Sequence, residues 1–402
     1  MKPRSISLAL AVLALTQGAI AYDNFLVGRL APLIARGLGA PLSSLAGVFV
    51  LQQAGLAAGA FLAGLLGNRL GPRRVLVAGL VAAGLATLAT PLVRSVGELA
   101  ALRTLVGVAL GMAAPMLVTT VVATASDQFR NWAIALTLAC NPVGAAAGSL
   151  MATQADLPGE HLLGFVIGGV VLLALAGPLL LLSPRQVRPD PAQATSRPSA
   201  VFVSAFRPTT LRLGVCFFLT MGLIALLAAW QPSYFEDLAG VPLQRFSQVA
   251  VFAAPGAVAG MLLSGAIAAR LPRTLGLLIV FFSHGLALAL VGTLPFGSAG
   301  FAAAYVASVG FQAAEQGLLN FILAERYPDG LRATAFGFAC GMGRIGGIFG
   351  PWLGAIPIGT ATHISAVYWV LAATPLVVAG VLLSGLRAPG GTRPSVLAGA
   401  AG

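Results

Sequence analysis

Five ionisable side chains stand inside otherwise apolar stretches of this 402-residue chain: Asp23, Arg103, Glu315, Arg344 and His284. A carboxylate in such a setting takes up or releases a proton as its access to water and to neighbouring charge changes. An arginine there offers a planar, permanently charged fork suited to a carboxylate. At about 1.5 Å of helix rise per residue, Arg344 lies roughly 18 Å beyond Arg332. If Arg332 marks a membrane edge, Arg344 is near the midplane of a hydrocarbon core about 30 Å thick. A bare arginine at that depth costs roughly 2.5–3.5 kcal/mol, so it is expected to face protein or water and to be functional. Glu315 falls about 15 Å from the end of its own helix, close to the same depth. That shared depth favours a Glu315–Arg344 pair; unpaired, Glu315 is a second proton carrier. Asp23 lies about 25 Å along the first helix and Arg103 within about two turns of the outer end of the fourth. A pair between them bordering a central cavity, with Asp23 as proton site, competes with a permanent ion pair that only clamps two helices. His284, in Phe-Phe-Ser-His-Gly, is expected to pack or to face lipid.

The elements that must position these groups are membrane helices. The chain is 58% hydrophobic and 8% charged, its mean hydropathy is +0.94, and apolar runs of about 20 residues recur along its length. Turn and charge signals divide them into twelve helices, near 6–31, 44–66, 73–93, 98–123, 132–153, 163–183, 211–231, 246–269, 274–293, 299–323, 333–357 and 364–386. The first run follows Lys2 and Arg4 and passes for a signal peptide. It reads better as helix 1, because its removal leaves an odd number of spans and breaks an internal repeat. The 50 glycines suit close helix crossings, notably Gly107/Gly111, Gly144/Gly148, Gly256/Gly260 and Gly346/Gly350/Gly354.

The expected organisation is all-α: a six-helix bundle over 1–183, a polar, proline-rich cytoplasmic linker over 184–210, a second six-helix bundle over 211–387 and a disordered tail over 388–402. The halves echo one another. Gly64 through Arg74, after helix 2, has a worn counterpart from Gly265 to Arg273, and Arg130, Gly144 and Gly148 recur as Arg332, Gly346 and Gly350. Alternating the loops gathers 17 of the 23 basic residues on one side. Only Arg29, Arg36, Arg94 and Arg245 fall on the other, with Arg103 and Arg344 inside helices. The positive-inside rule then puts both termini in the cytoplasm of a multi-pass inner-membrane protein. The net charge of +12 therefore reads as topology determinants scattered at helix ends, not as a nucleic-acid groove. Cys140, Cys216 and Cys340 all lie in apolar runs. Neither a disulfide framework, a metal site, a cofactor nor a catalytic constellation is indicated.

The segment Gly64-Leu-Leu-Gly-Asn68-Arg69-Leu70-Gly-Pro-Arg73-Arg74 resembles the signature loop of the major facilitator superfamily. Within that superfamily the chain is most similar to the aromatic acid:proton symporters. Three stretches carry this likeness: Arg103-Thr-Leu-Val-Gly107 to Gly111 with Ala114-Pro115, Trp230-Gln-Pro232, and Glu325 through Arg332-Ala-Thr334 and Gly343-Arg344-Ile345-Gly346 to Pro351. The resemblance implies two pseudo-symmetric six-helix bundles that rock around a central site. It implies proton coupling at Asp23, to which Glu315 is added on its own depth. It also implies substrate contacts at Arg103, Arg344, Tyr22 and Trp230, and gating at Asn68, Arg69, Arg73, Arg74 and Arg332.

Three positions depart from the pattern. The first of two helix 1 acids is absent from Ile20-Ala21-Tyr22-Asp23, the loop aspartate is Asn68, and Glu315 replaces a usual glycine. The expected activity is proton-coupled uptake of a small organic, by resemblance aromatic, acid, performed by a monomer whose partners are substrate, protons and the lipid bilayer. The alternative is a proton-driven exporter of lipophilic compounds. It draws on the missing acid, on Glu315 and on Asn141-Pro142-Val143-Gly144 in helix 5.

Overall fold

The structure, a computed structural model, describes residues 3–126, 129–154, 160–182, 202, 206–327, 329–360 and 363–386. The expected linker lies mostly, and the expected tail wholly, outside the described residues. Among the described residues twelve long helices follow one another: α1 (Pro3–Arg29), α2 (Ala46–Leu70), α3 (Pro72–Ala89), α4 (Val96–Thr124), α5 (Arg130–Thr153) and α6 (Glu160–Leu182). The second set is α7 (Arg207–Ala239), α8 (Leu243–Arg270, interrupted at Phe252), α9 (Arg273–Thr293), α10 (Ala299–Arg326), α11 (Asp329–Gly354) and α12 (Ile364–Leu386). α1 starts and α12 finishes at the same end, called proximal below; the opposite end is distal. A short helix, Ala31–Gly37, continues α1 distally.

Local chemistry sets several of these boundaries. Ser95 caps α4, its hydroxyl accepting from the Glu98 amide at 3.2 Å, and Ser298 does the same for Phe301 at the start of α10. Each satisfies one of the amides that a helix start leaves unpaired. Between α2 and α3 the chain turns at Gly71, whose φ of 86° disfavours any residue with a Cβ.

Ten of these helices are long and apolar enough to cross a membrane on composition. The two that fall short are α10, with Gln312, Glu315, Gln316 and Asn320, and α11, with Arg332 and Arg344. α7 corrects the sequence reading. It runs through Pro232 to Ala239 and ends at Gly240 in the left-handed region, rather than stopping at Gln231. Proline lacks an N–H, so the Ala228 carbonyl four residues earlier loses its helical partner. That carbonyl abuts Gly28 of α1, where a Cβ would lie only 2.2 Å away.

Packing repeats between the halves. α1 crosses α5 where a Cβ on Gly144 would meet the Gly18 carbonyl at 2.0 Å; α7 crosses α11 where one on Gly346 would meet the Phe218 carbonyl at 2.0 Å. α2 packs on α4 at Gly55, Gly59, Gly107 and Gly111, and α8 packs on α10 at Gly256, Gly260 and Gly310. These are small-residue crossings in which backbones replace side chains as the contact. Gly148 is the exception to the expected ladder, since a Cβ there would find ordinary contacts at 3.7 Å.

The buried apolar residues fall into three clusters. One, at the distal end, is shared by both halves and includes Leu26, Leu30, Phe49, Trp230, Tyr234 and Tyr305. The other two occupy the proximal region, one confined to each half. The halves are thus joined distally and have separate cores proximally.

Candidate functional site

Between the halves, on the proximal side of the shared cluster, lies a cavity of about 600 Å³. Its walls come from α1 and α5 on one side and α7, α8, α9 and α10 on the other. The volume lies within the range of small-molecule sites. Much of the lining is small and apolar, with Ala145 and Ala146 facing Ala253, Ala254 and Ala257. Polar groups concentrate on α10, where Ser308, Gln312, Gln316 and Asn320 recur every fourth residue and all line the cavity. Residues at that spacing share a helix face.

Arg29 and Tyr305 line the distal part, the roof. Arg29 is 8% exposed, and its Nε and Nη1 have no hydrogen-bond partner. Its guanidinium is within hydrogen-bonding reach of the Tyr305 hydroxyl. Tyr305 in turn donates to Gln231 Oε1 at 3.3 Å, and the Gln231 amide donates to the Tyr368 hydroxyl at 3.0 Å. Distal to this roof, the Arg36–Glu236 pair spans the halves at 2.7 Å; level with it, Phe49 of α2 meets Trp230 of α7 edge-on at 5.0 Å.

Glu315 does not pair with Arg344, contrary to the expectation from depth. Its Oε1 lies 2.9 Å from His284 Nδ1, and both side chains are almost wholly buried. His284 borders the cavity while its Nε2 has no protein partner. Depth along a helix gave Glu315 and Arg344 the same level but not the same facing. α10 turns Glu315 toward α9, and His284 is buried against it rather than facing lipid.

Arg344 is exposed on α11. It lies one turn proximal to Gly347, whose Cβ would meet Gln53 of α2 at 3.4 Å. It is not among the residues lining the cavity.

Asp23 and Arg103 are brought together, but away from the cavity. Arg103 Nη1 is 3.6 Å from Asp23 Oδ1, with both side chains fully buried. Asp23 also accepts from Thr87 at 2.8 Å. Arg103 hydrogen-bonds Thr90 and lies 5.3 Å over the Phe165 ring, a cation–π arrangement. The pair therefore sits among α1, α3, α4 and α6. α1 presents Phe25 and Arg29 to the cavity, and Asp23 two residues earlier necessarily points the other way.

Two further expected substrate contacts are also placed elsewhere. The Tyr22 hydroxyl donates to the Gly164 carbonyl at 2.9 Å. Trp230 is fully buried, and its Nε1 donates to the Pro351 carbonyl at 2.7 Å. Of the expected gating residues, Arg69 and Arg74 are exposed beside the Gly71 turn, whereas Arg73 and Arg332 are half-buried and partnered. The Asn68 side chain lies outside the described residues.

Sequence reasoning missed Arg29, Gln231 and the α10 ladder as site residues. Arg29 had been grouped with the outer charges, yet it is buried. The fourfold spacing of Ser308, Gln312, Gln316 and Asn320 in a membrane-length helix was a legible signal for the cavity face.

Two six-helix bundles packed in parallel, joined at one end around a central cavity, are the architecture of membrane transporters that rock about a central site. The chain belongs to the Major Facilitator Superfamily, whose profile matches residues 13–351. It is 32% identical over 346 residues to the 3-(3-hydroxy-phenyl)propionate transporter of Escherichia coli (strain K12), covering 84% of this chain and 82% of that protein. It is 26% identical over 412 residues to the gallate transporter of Pseudomonas putida, covering 94% and 91%. With the 4-hydroxybenzoate transporter PcaK of Pseudomonas aeruginosa it shares 27% identity over 403 residues, covering 90% and 89%. Among solved structures, the inward-open xylose transporter XylE from E. coli superposes with a TM-score of 0.75 at 14% identity, covering 96% of this chain and 98% of that one. A bacterial homologue of the lysosomal transporter Spinster gives 0.72 at 16% identity, covering 95% and 97%. The last two likenesses speak to fold alone.

Proposed function

We propose that this protein takes up a small aromatic carboxylate, together with protons, across a bacterial cytoplasmic membrane, with its proximal end and both termini in the cytoplasm. The observation that carries the reading is the cavity itself: mostly apolar walls for a ring, a buried cation at the roof for a carboxylate, and a protonatable His284–Glu315 pair on its border. The aromatic-acid names of the three relatives support the substrate class. The arginine asymmetry supports the orientation. Under that orientation the cavity faces the cytoplasm with the outer side closed.

Coupling is assigned to carboxylates in both halves. Glu315 exchanges its proton through His284, which borders the cavity. Asp23 exchanges when rocking alters its contact with Arg103 and with water. Arg344, proximal to the α2–α11 contact, meets the substrate at the inner mouth. Arg69, Arg73, Arg74 and Arg332 lie where the proximal ends of the halves close.

The test is accumulation of 3-(3-hydroxyphenyl)propionate, gallate and 4-hydroxybenzoate in proteoliposomes under an imposed pH difference. Uptake of at least one acid should rise with the gradient and collapse with a protonophore. Glu315→Gln should abolish gradient-driven accumulation while leaving substrate-for-substrate exchange. Extrusion of dyes with no response to any of the acids would favour the exporter reading and refute this one.

A further inference from the structure

Two buried arginines stand near the distal half of this protein, and their charge balance differs. Arg103 has Asp23. Arg29 has no carboxylate partner among the described residues, although it is only 8% exposed. A buried guanidinium without a counter-charge is costly, and each unpaired donor adds to that cost. Arg29 leaves Nε and Nη1 unpartnered. Its place at the last turn of α1 favours a cation through the helix dipole, but that effect does not satisfy the two donors. The donors belong to a side chain that lines the cavity roof. What they lack is a negatively charged acceptor; Nε and Nη1 lie on different edges of the guanidinium, so a carboxylate engages either one in a fork completed by Nη2.

We propose that Arg29 is the carboxylate anchor of the cavity. Its guanidinium holds the substrate's carboxylate by two parallel N–H···O bonds, with the Tyr305 hydroxyl beside it. Phe25, one turn proximal on the same face of α1 and also in the cavity wall, backs the ring. The fork geometry of arginine matches a carboxylate in a way that the point charge of lysine does not. This assignment rests on the aromatic-acid reading above, and it moves the anion site away from Arg103 and Arg344 to a residue that faces the cavity in this conformation. Filling the roof with a carboxylate also neutralises the one buried cation facing the cavity among the described residues. The substrate thereby removes a cost that the empty carrier bears.

The experiment is equilibrium binding to purified full-length protein, using 3-(3-hydroxyphenyl)propionate and its primary amide as matched probes. The wild type should prefer the acid by about 100-fold, the scale of a charge-assisted two-bond contact. Arg29→Gln should weaken acid binding by about 100-fold, to the amide's level, and leave the amide unchanged. Arg29→Lys, which keeps the charge and guards against a folding defect in the first variant, should weaken acid binding by about tenfold. Monodisperse elution and a melting temperature no lower than that of the wild type qualify each variant for measurement. Binding of the acid to either variant within about threefold of wild type overturns the anchor. The outcomes separate the two claims. Arg29-dependent binding with no pH-driven accumulation refutes the coupled-uptake reading alone, whereas coupled uptake that survives Arg29→Gln refutes the anchor alone. A wild type that binds none of the three acids refutes both.

Discussion

Gly28→Ala tests how the distal end stays shut. A Cβ on Gly28 would stand 2.2 Å from the Ala228 carbonyl oxygen and 3.0 Å from the Ala229 Cα. Ordinary C···O approaches are about 3.3 Å, so α1 and α7 would have to part by about 1 Å. They cannot do so freely, because that crossing lies within the shared distal cluster of Leu26, Leu30 and Trp230. Overpacking of a filled interior costs about 1–3 kcal/mol. The greater intrinsic helix preference of alanine applies to the open and closed forms alike and cancels from their ratio. The steric cost falls on the distally closed form, where the two helices touch. The closed-to-open ratio should therefore drop by about 5- to 150-fold. Spin labels at Ser43→Cys and Ala299→Cys, both exposed on distal segments of opposite halves, report the change by electron–electron distance measurement once Cys140, Cys216 and Cys340 are replaced. A longer-distance population should appear with Gly28→Ala. Gly64→Ala, where a Cβ meets nothing within 4 Å, should leave the distribution as it is. An unchanged distribution for Gly28→Ala would refute the reasoning that this backbone contact holds the closed state.

Two further outcomes follow from the ion pairs. Asp23→Asn leaves Arg103 buried without its counter-charge and should lower stability by about 3 kcal/mol, while adding Arg103→Gln should recover much of the loss; strictly additive losses in thermal unfolding would deny the contact. Arg36→Ala removes an exposed pair across the halves, where the arginine side chain is 61% accessible. It should cost about 1 kcal/mol or less and change transport rates only severalfold, so complete loss of transport would give that pair a larger role than its exposure allows.

Much of the architecture was legible in the chain because its causes are local. Apolar run length, Ser95 and Ser298 as caps, and Gly71 as a turn fix the helices without reference to any neighbour. The glycines at 107, 111, 144, 256, 260, 346 and 350 mark close crossings on their own, although not which helix crosses. α10 and α11 were recovered despite their polar residues, because turn signals bounded them. The rest depended on rotation and partnership, which depth along a helix does not contain. Glu315 and Arg344 share a level, but α10 turns Glu315 toward His284 of α9. Asp23 and Arg29 share a helix, but a difference of six residues sends one into the α3–α4–α6 interior and the other to the cavity roof. Arg29 at a helix end reads as a solvent-facing topology charge, since nothing in the sequence says that a second bundle closes over it. Pro232 reads as a stop for α7, yet the helix continues to Ala239, and Gly28 of the other half lies against the carbonyl that the proline frees. Local chemistry determined the helices; the approach of the two halves decided which of their charges became a site.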